Sequence, residues 1–135
     1  MTEKEKTARE LWSKIITSIG VCQRCGGTKK LGAAHILPKG KYKRFRFNLM
    51  NGLCLCFACH IHWAHKNPID FTLWLKDNFP EKFKWSLKAR KEKGKVRLDI
   101  DEIITELRSH LVQDFDSNEY RKDVLKRQER LRERR

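Results

Sequence analysis

Between Glu10 and Asp70 this chain contains no aspartate and no glutamate, although ten lysines and arginines fall in the same interval. The absence argues against a two-carboxylate metal site of the polymerase kind; an ion held in this stretch must use histidine, asparagine, cysteine, water or substrate oxygens. Long apolar runs are missing too. No stretch is apolar for long enough to span a bilayer, and the opening Met1-Thr2-Glu3-Lys4-Glu5-Lys6 lacks the apolar run of a secretory signal, so the expected setting is the cytoplasm with no membrane partner. Five cysteines cannot all pair, which excludes a complete disulfide framework and leaves thiols free for metal under reducing conditions. The chain has no internal repeat.

What is present begins with charge. Lysine and arginine number 31 against 17 acids, a net charge of +14 that favours a polyanionic partner through counterion release and faster encounter. A length of 135 residues suits one domain with an extension and a core modest enough to benefit from a metal staple. The expected division is 1–95 as the main domain, with an N-terminal helix and a metal-binding core over 22–68, and 96–135 as a helical basic extension.

The chemistry concentrates in that core. Cys22-x-x-Cys25 and Cys56-x-x-Cys59 can supply four thiolates to one tetrahedral zinc ion, with Gly26-Gly27 permitting a tight first knuckle and Cys54 left as a buried spare. Leu31 to Ile36 reads as a short strand or extended segment, ended by Pro38 and Gly40. The loop that follows alternates Lys39, Lys41, Lys43, Arg44 and Arg46 with Tyr42, Phe45 and Phe47. That pattern suits phosphate contacts over packed rings, with a solvated charged loop as the alternative. A regular helix from about His60 to Asn67 presents His62 and His65 on one face. Joint use of His60 and His65, five apart, needs a bent or late-starting helix, so the second metal-binding histidine stays open.

Flanking helices are legible from caps and periodicity. Thr2 with Glu5 forms a capping box, and Leu11, Ile15, Ile16 and Ile19 keep helical spacing until Gly20, with Trp12 read as core. Asn67-Pro68 starts a helix that Asn78-Phe79-Pro80 interrupts, and a second carries Phe83, Trp85 and Leu87 into a solvated hinge at 88–94. Asp99 with Glu102 opens another, whose stripe of Ile100, Ile103, Ile104, Leu107, Leu111 and Phe115 must be covered by the domain, the last helix or a second copy of the chain. The tail from Asn118 can form a basic helix through Tyr120, Val124, Gln128 and Leu131.

Cys22-x-x-Cys25, Ala34-His35-Ile36, Asn51-Gly52-Leu53 and Cys56-x-x-Cys59-His60 together resemble the HNH endonuclease family in its four-cysteine form, over residues 22–68. The small size, the basic loop and the run from Cys59 to Pro68 further resemble phage and prophage members. The resemblance implies an α+β fold, a small zinc-braced ββα-metal finger with flanking helices, acting on DNA. It implies His35 as general base, His60 as ligand of a catalytic divalent ion (Mg2+, Mn2+ or similar), and Asn51 as a further ligand or an orienting group. The products would be a 5′-phosphate and a 3′-hydroxyl. Ala34 departs from the family, many of whose members place Asp or His there, so the ion is held by fewer protein groups or recruits His62 or His65. The alternative is a non-catalytic zinc-containing DNA-binding or packaging accessory protein; an RNA-processing nuclease would share the same site. A second copy of the chain or phage DNA-processing proteins are further expected partners.

Overall fold

The computed structural model describes residues 1–92 and 96–111. Helix α1 (Glu3–Thr17) is followed by strand β1 (Leu31–His35), short 3-10 turns at Lys43–Phe45 and Leu49–Asn51, and strand β2 (Gly52–Cys56). A π-helix (Ala58–Ala64) then leads to helices α2 (Pro68–Asn78), α3 (Pro80–Ala89) and α4 (Ile100–Leu111). This is a small α+β fold, and among the described residues no helix is long and apolar enough to cross a membrane.

The capping box forms as the sequence requires. The Glu5 amide donates to Thr2 Oγ1 at 3.1 Å and the Thr2 amide to Glu5 Oε2 at 3.4 Å, satisfying two N–H groups that the first turn leaves without helical partners. Gly20, at φ 79°, turns the chain out of the helix in the left-handed region.

The strands pair antiparallel, from Leu31 opposite Cys56 to His35 opposite Gly52. Side chains alternate across the ribbon. Ala34, Leu53 and Leu55 pack with Ala64, Leu75 and Phe79, while Cys54 and Ala33 pack with Trp12 and Ile16 of α1. Helix α1 approaches β2 so closely that a Cβ at Gly52 would stand 2.5 Å from Ile16 Cδ1 and 2.9 Å from Trp12 Cζ2. A side chain there would force Ile16 and Trp12 to shift.

Among the described residues, α1 covers the inner part of the α4 stripe. Ile103, Ile104 and Leu107 pack with Ala8, Leu11 and Trp12. The exposed pair Lys4–Asp101 at 3.0 Å adds at most about 1 kcal/mol, so apolar burial holds this helix in place. Helices α2 and α3 start on Pro68 and Pro80, whose missing N–H groups cost nothing in a first turn. They close over the ribbon through Leu75, Phe79 and Phe83, beside rings of Trp63, Phe71 and Trp74. Gly94, Phe115 and the expected tail helix lie outside the described residues.

Candidate metal centre and histidine cleft

Both Cys-x-x-Cys knuckles converge. The Sγ atoms of Cys22, Cys25, Cys56 and Cys59 all lie within 4.8 Å of one another. A zinc tetrahedron with 2.3 Å bonds has edges of about 3.8 Å, and the Cys25–Cys56 sulfur separation is 3.8 Å. The group can therefore hold a structural metal ion such as zinc. Local backbone builds it: the Cys22 amide donates to the Gly27 carbonyl at 2.7 Å and the Gly26 amide to the Cys22 carbonyl at 2.8 Å, with Gly26 at φ 78°.

Donors face the sulfurs. The Gly27 amide reaches Cys25 Sγ at 3.4 Å and the Cys59 amide reaches Cys56 Sγ at 3.5 Å. Arg24, its guanidinium 3.7 Å from the Trp63 ring centre, donates to Cys59 Sγ at 3.4 Å. Such contacts offset the negative charge that four thiolates bring. Burial lifts the Cys25 and Cys59 thiols above their ordinary range; against the same burial, the Cys59 amide and neighbouring thiols hold Cys56 below it. Cys54, fully buried and pushed up to about 12 by desolvation, is the spare and behaves as a small apolar core residue.

His35 ends β1 with its ring stacked on Trp12, centroids 4.2 Å apart at 16°. Its Nε2 lies 2.9 Å from the Arg46 carbonyl oxygen. A carbonyl only accepts, so Nε2 carries the proton and the lone pair resides on Nδ1. Burial lowers the pKa of this ring; the Arg46 carbonyl opposes that shift and the Lys39 charge adds to it. Trp12 is itself anchored, Nε1–H donating to the Asn48 carbonyl at 2.9 Å.

Asn51 is wholly buried and spends its amide on the loop after β1. Its Oδ1 accepts from the Leu37 amide at 2.7 Å, and its Nδ2 donates to the Leu37 and Phe45 carbonyls at 3.1 Å each.

The histidine-rich segment departs from the regular helix expected. Its backbone is wound as a π-helix, with the His65 amide donating to the His60 carbonyl five residues back at 3.1 Å. The wider turn brings His60 and His65 side by side, centroids 4.5 Å apart, whereas His62 is exposed and packs edge-on to Phe57. Of the histidines left open as a second ligand, His65 and not His62 lies beside His60. Burial lowers the His60 pKa, with His65 and His35 contributing in the same direction.

His35, His60 and His65 line one cleft of about 1060 Å³, floored by Ala33, Ala34, Leu55 and Ala64. Lys39 lies on its rim, and α1 contributes Arg9, Glu10, Ser13, Lys14 and Thr17. Among the described residues the four cysteines are the one group of three or more Cys, His, Asp or Glu side chains close enough to share an ion. The rest of the basic loop divides. Phe45 and Phe47 are buried beneath it, Lys43 is exposed, and Lys41 lies 5.7 Å from the Tyr42 ring centre. Arg44 pairs with Glu92 at 3.7 Å and Arg46 with Glu5 at 3.4 Å.

Two long-range contacts were invisible in the sequence. Trp12 sits in an amphipathic stripe, which signals core and gives no hint of a histidine partner. Lys82, on the charged helix α3, buries its ammonium against the Gly52 carbonyl at 2.6 Å and the Leu49 carbonyl at 3.4 Å, and desolvation brings its pKa down to about 8. Compared with known protein families, curated proteins and solved structures, the chain matches none.

Proposed function

We propose that this protein is a metal-dependent endonuclease of the HNH type that hydrolyses DNA phosphodiester bonds in phage DNA processing or recombination, working in the cytoplasm of the host cell. The observation that carries the reading is the state of His35: Nε2–H is committed to the Arg46 carbonyl, which leaves Nδ1 as a proton acceptor in a cleft shared with the His60–His65 pair. The strand, strand, histidine-bearing helix order braced by four cysteines supports the same assignment.

In this reading zinc at Cys22, Cys25, Cys56 and Cys59 is structural and fixes the end of the ribbon where Cys56 faces Leu31. His60 and His65 offer two imidazoles to a divalent ion, which when bound stabilises charge on the phosphate and the leaving oxygen. His35 Nδ1 takes a proton from water, the water oxygen bonds to phosphorus, and the bond to the 3′ oxygen breaks, that oxygen taking a proton from solvent. The products are a 5′-phosphate and a 3′-hydroxyl. The Arg46 carbonyl keeps accepting from Nε2–H as the ring becomes cationic, and Trp12 holds the ring plane. Asn51 acts indirectly, by holding the loop that carries that carbonyl.

The test is incubation of supercoiled, linear and branched DNA with Mg2+ or Mn2+. His35→Ala is expected to cut about 10²- to 10⁴-fold more slowly at unchanged zinc content while remaining folded in thermal melts. Equal rates for variant and parent would refute the base assignment. A second reading, a zinc-containing DNA-binding or packaging accessory protein, draws on the lack of another three-ligand group among the described residues. Salt-sensitive binding without cutting under any divalent ion would establish it.

A further inference from the structure

The positive charges that face the cleft are not mainly those of the basic loop. Arg44 and Arg46 are engaged by Glu92 and Glu5, leaving Lys39 as that loop's cation on the cleft. Helix α1 supplies two more. Arg9 and Lys14 are exposed, line the cleft, and among the described residues make no ion pair. Five residues apart, they stand about 7.5 Å apart along the helix axis and about 140° apart around it, at the two edges of the polar face that Ser13 and Thr17 share, so each can meet a separate phosphate. Glu10 is the one carboxylate lining this cleft, and it leaves the wall net positive.

The opposite face of α1 explains why this wall is rigid. Trp12 and Ile16 are buried against the ribbon and Ala8 against α4, so the polar face is held at a set distance from His35, whose ring rests on Trp12. Because the backbone that carries these cations is already held, binding has to order only their side chains. We propose that Arg9 and Lys14, at the edges of the polar face of α1, form a phosphate-backbone binding site for the DNA strand in the cleft that His60 and His65 also line. This rests on the nucleic-acid substrate of the reading above and does not require that cleavage occur.

The test is equilibrium binding of a fluorescent DNA duplex to zinc-loaded protein, without added Mg2+ or Mn2+, across a salt series. The double variant Arg9→Ala/Lys14→Ala is compared with Lys41→Ala/Lys43→Ala, which removes the same charge from residues that do not line the cleft. Loss of two phosphate contacts lowers the salt slope by about 1.8 and weakens binding roughly 60-fold at 0.1 M salt. The loop variant is expected to lose less than half of that slope. Melting curves accompany both, and Arg9→Gln/Lys14→Gln repeats the measurement with longer side chains. Parental slope and affinity in the α1 variants, an equal or larger loss in the loop variant, or a parent that does not bind DNA would overturn the proposal. A parent that binds through α1 yet never cuts would overturn the nuclease reading and leave this one standing; a parent that cuts while the α1 variants bind normally does the reverse.

Discussion

Replacing Asn51 with alanine removes one side chain and strands three buried backbone groups: the Leu37 amide, the Leu37 carbonyl and the Phe45 carbonyl. At about 1 kcal/mol net per hydrogen bond, and more where the partner stays buried and unpaired, the loss comes to about 3–5 kcal/mol. That is a large share of the roughly 5–15 kcal/mol that holds a domain of this size together. The loop so released carries the Arg46 carbonyl, so His35 loses its acceptor, and under the proposed function slower cutting is the expected accompaniment. Urea unfolding of the zinc-loaded protein is the assay, read as a shifted midpoint at constant slope. Asn51→Asp is the sharper probe. It keeps the shape but turns the Nδ2 donor into an oxygen facing two carbonyls, which only the protonated acid can satisfy. The introduced carboxyl therefore titrates higher folded than unfolded, and stability must fall as pH rises above the unfolded value of about 3.9. A loss below about 1 kcal/mol for the alanine variant would be ordinary for a surface change and would refute the clamp. So would a flat pH profile for the aspartate variant.

Cys54→Ala is expected to bind one zinc per chain like the parent, whereas Cys22→Ser or Cys59→Ser lowers zinc stoichiometry and melting temperature together. Colorimetric zinc release with thermal melts checks this. Gly52→Ala should cost about 1–3 kcal/mol, because its Cβ meets Ile16 Cδ1 at 2.5 Å, and adding Ile16→Val should recover part of the loss in urea melts. For the pH dependence of kcat/KM, His35 must be neutral to accept a proton, and burial places its pKa below the ordinary 6.5. Activity should rise with pH through a limb below 6.5 and stay level across neutrality. Lys39→Ala, by removing a charge that lowers this pKa, should move the limb upward; an unmoved limb would contradict the electrostatic account.

Local chemistry wrote much of this protein plainly. The Thr2–Glu5 box, the Gly20 stop and the prolines at 68 and 80 act within a few residues, so they read the same in the chain as in the fold. The two cysteine pairs were as clear, since a tetrahedral ion accepts few donor sets, and the sulfurs do meet.

Other features depended on which surfaces came to face each other. Whether His60 pairs with His65 turned on a π-wound backbone, an i→i+5 hydrogen-bond pattern that helical periodicity does not encode. The acid-free loop looked free to bind phosphate until Glu5 and Glu92, distant in sequence, took two of its arginines. Trp12 meets His35 only because Gly52 lets α1 lie against the ribbon. Sequence alone determined the caps, the knuckles and the charge, because these act over a few residues or over the whole chain. Tertiary packing alone decided which cations and which histidines share the cleft, because that depends on long-range contacts the local pattern does not specify.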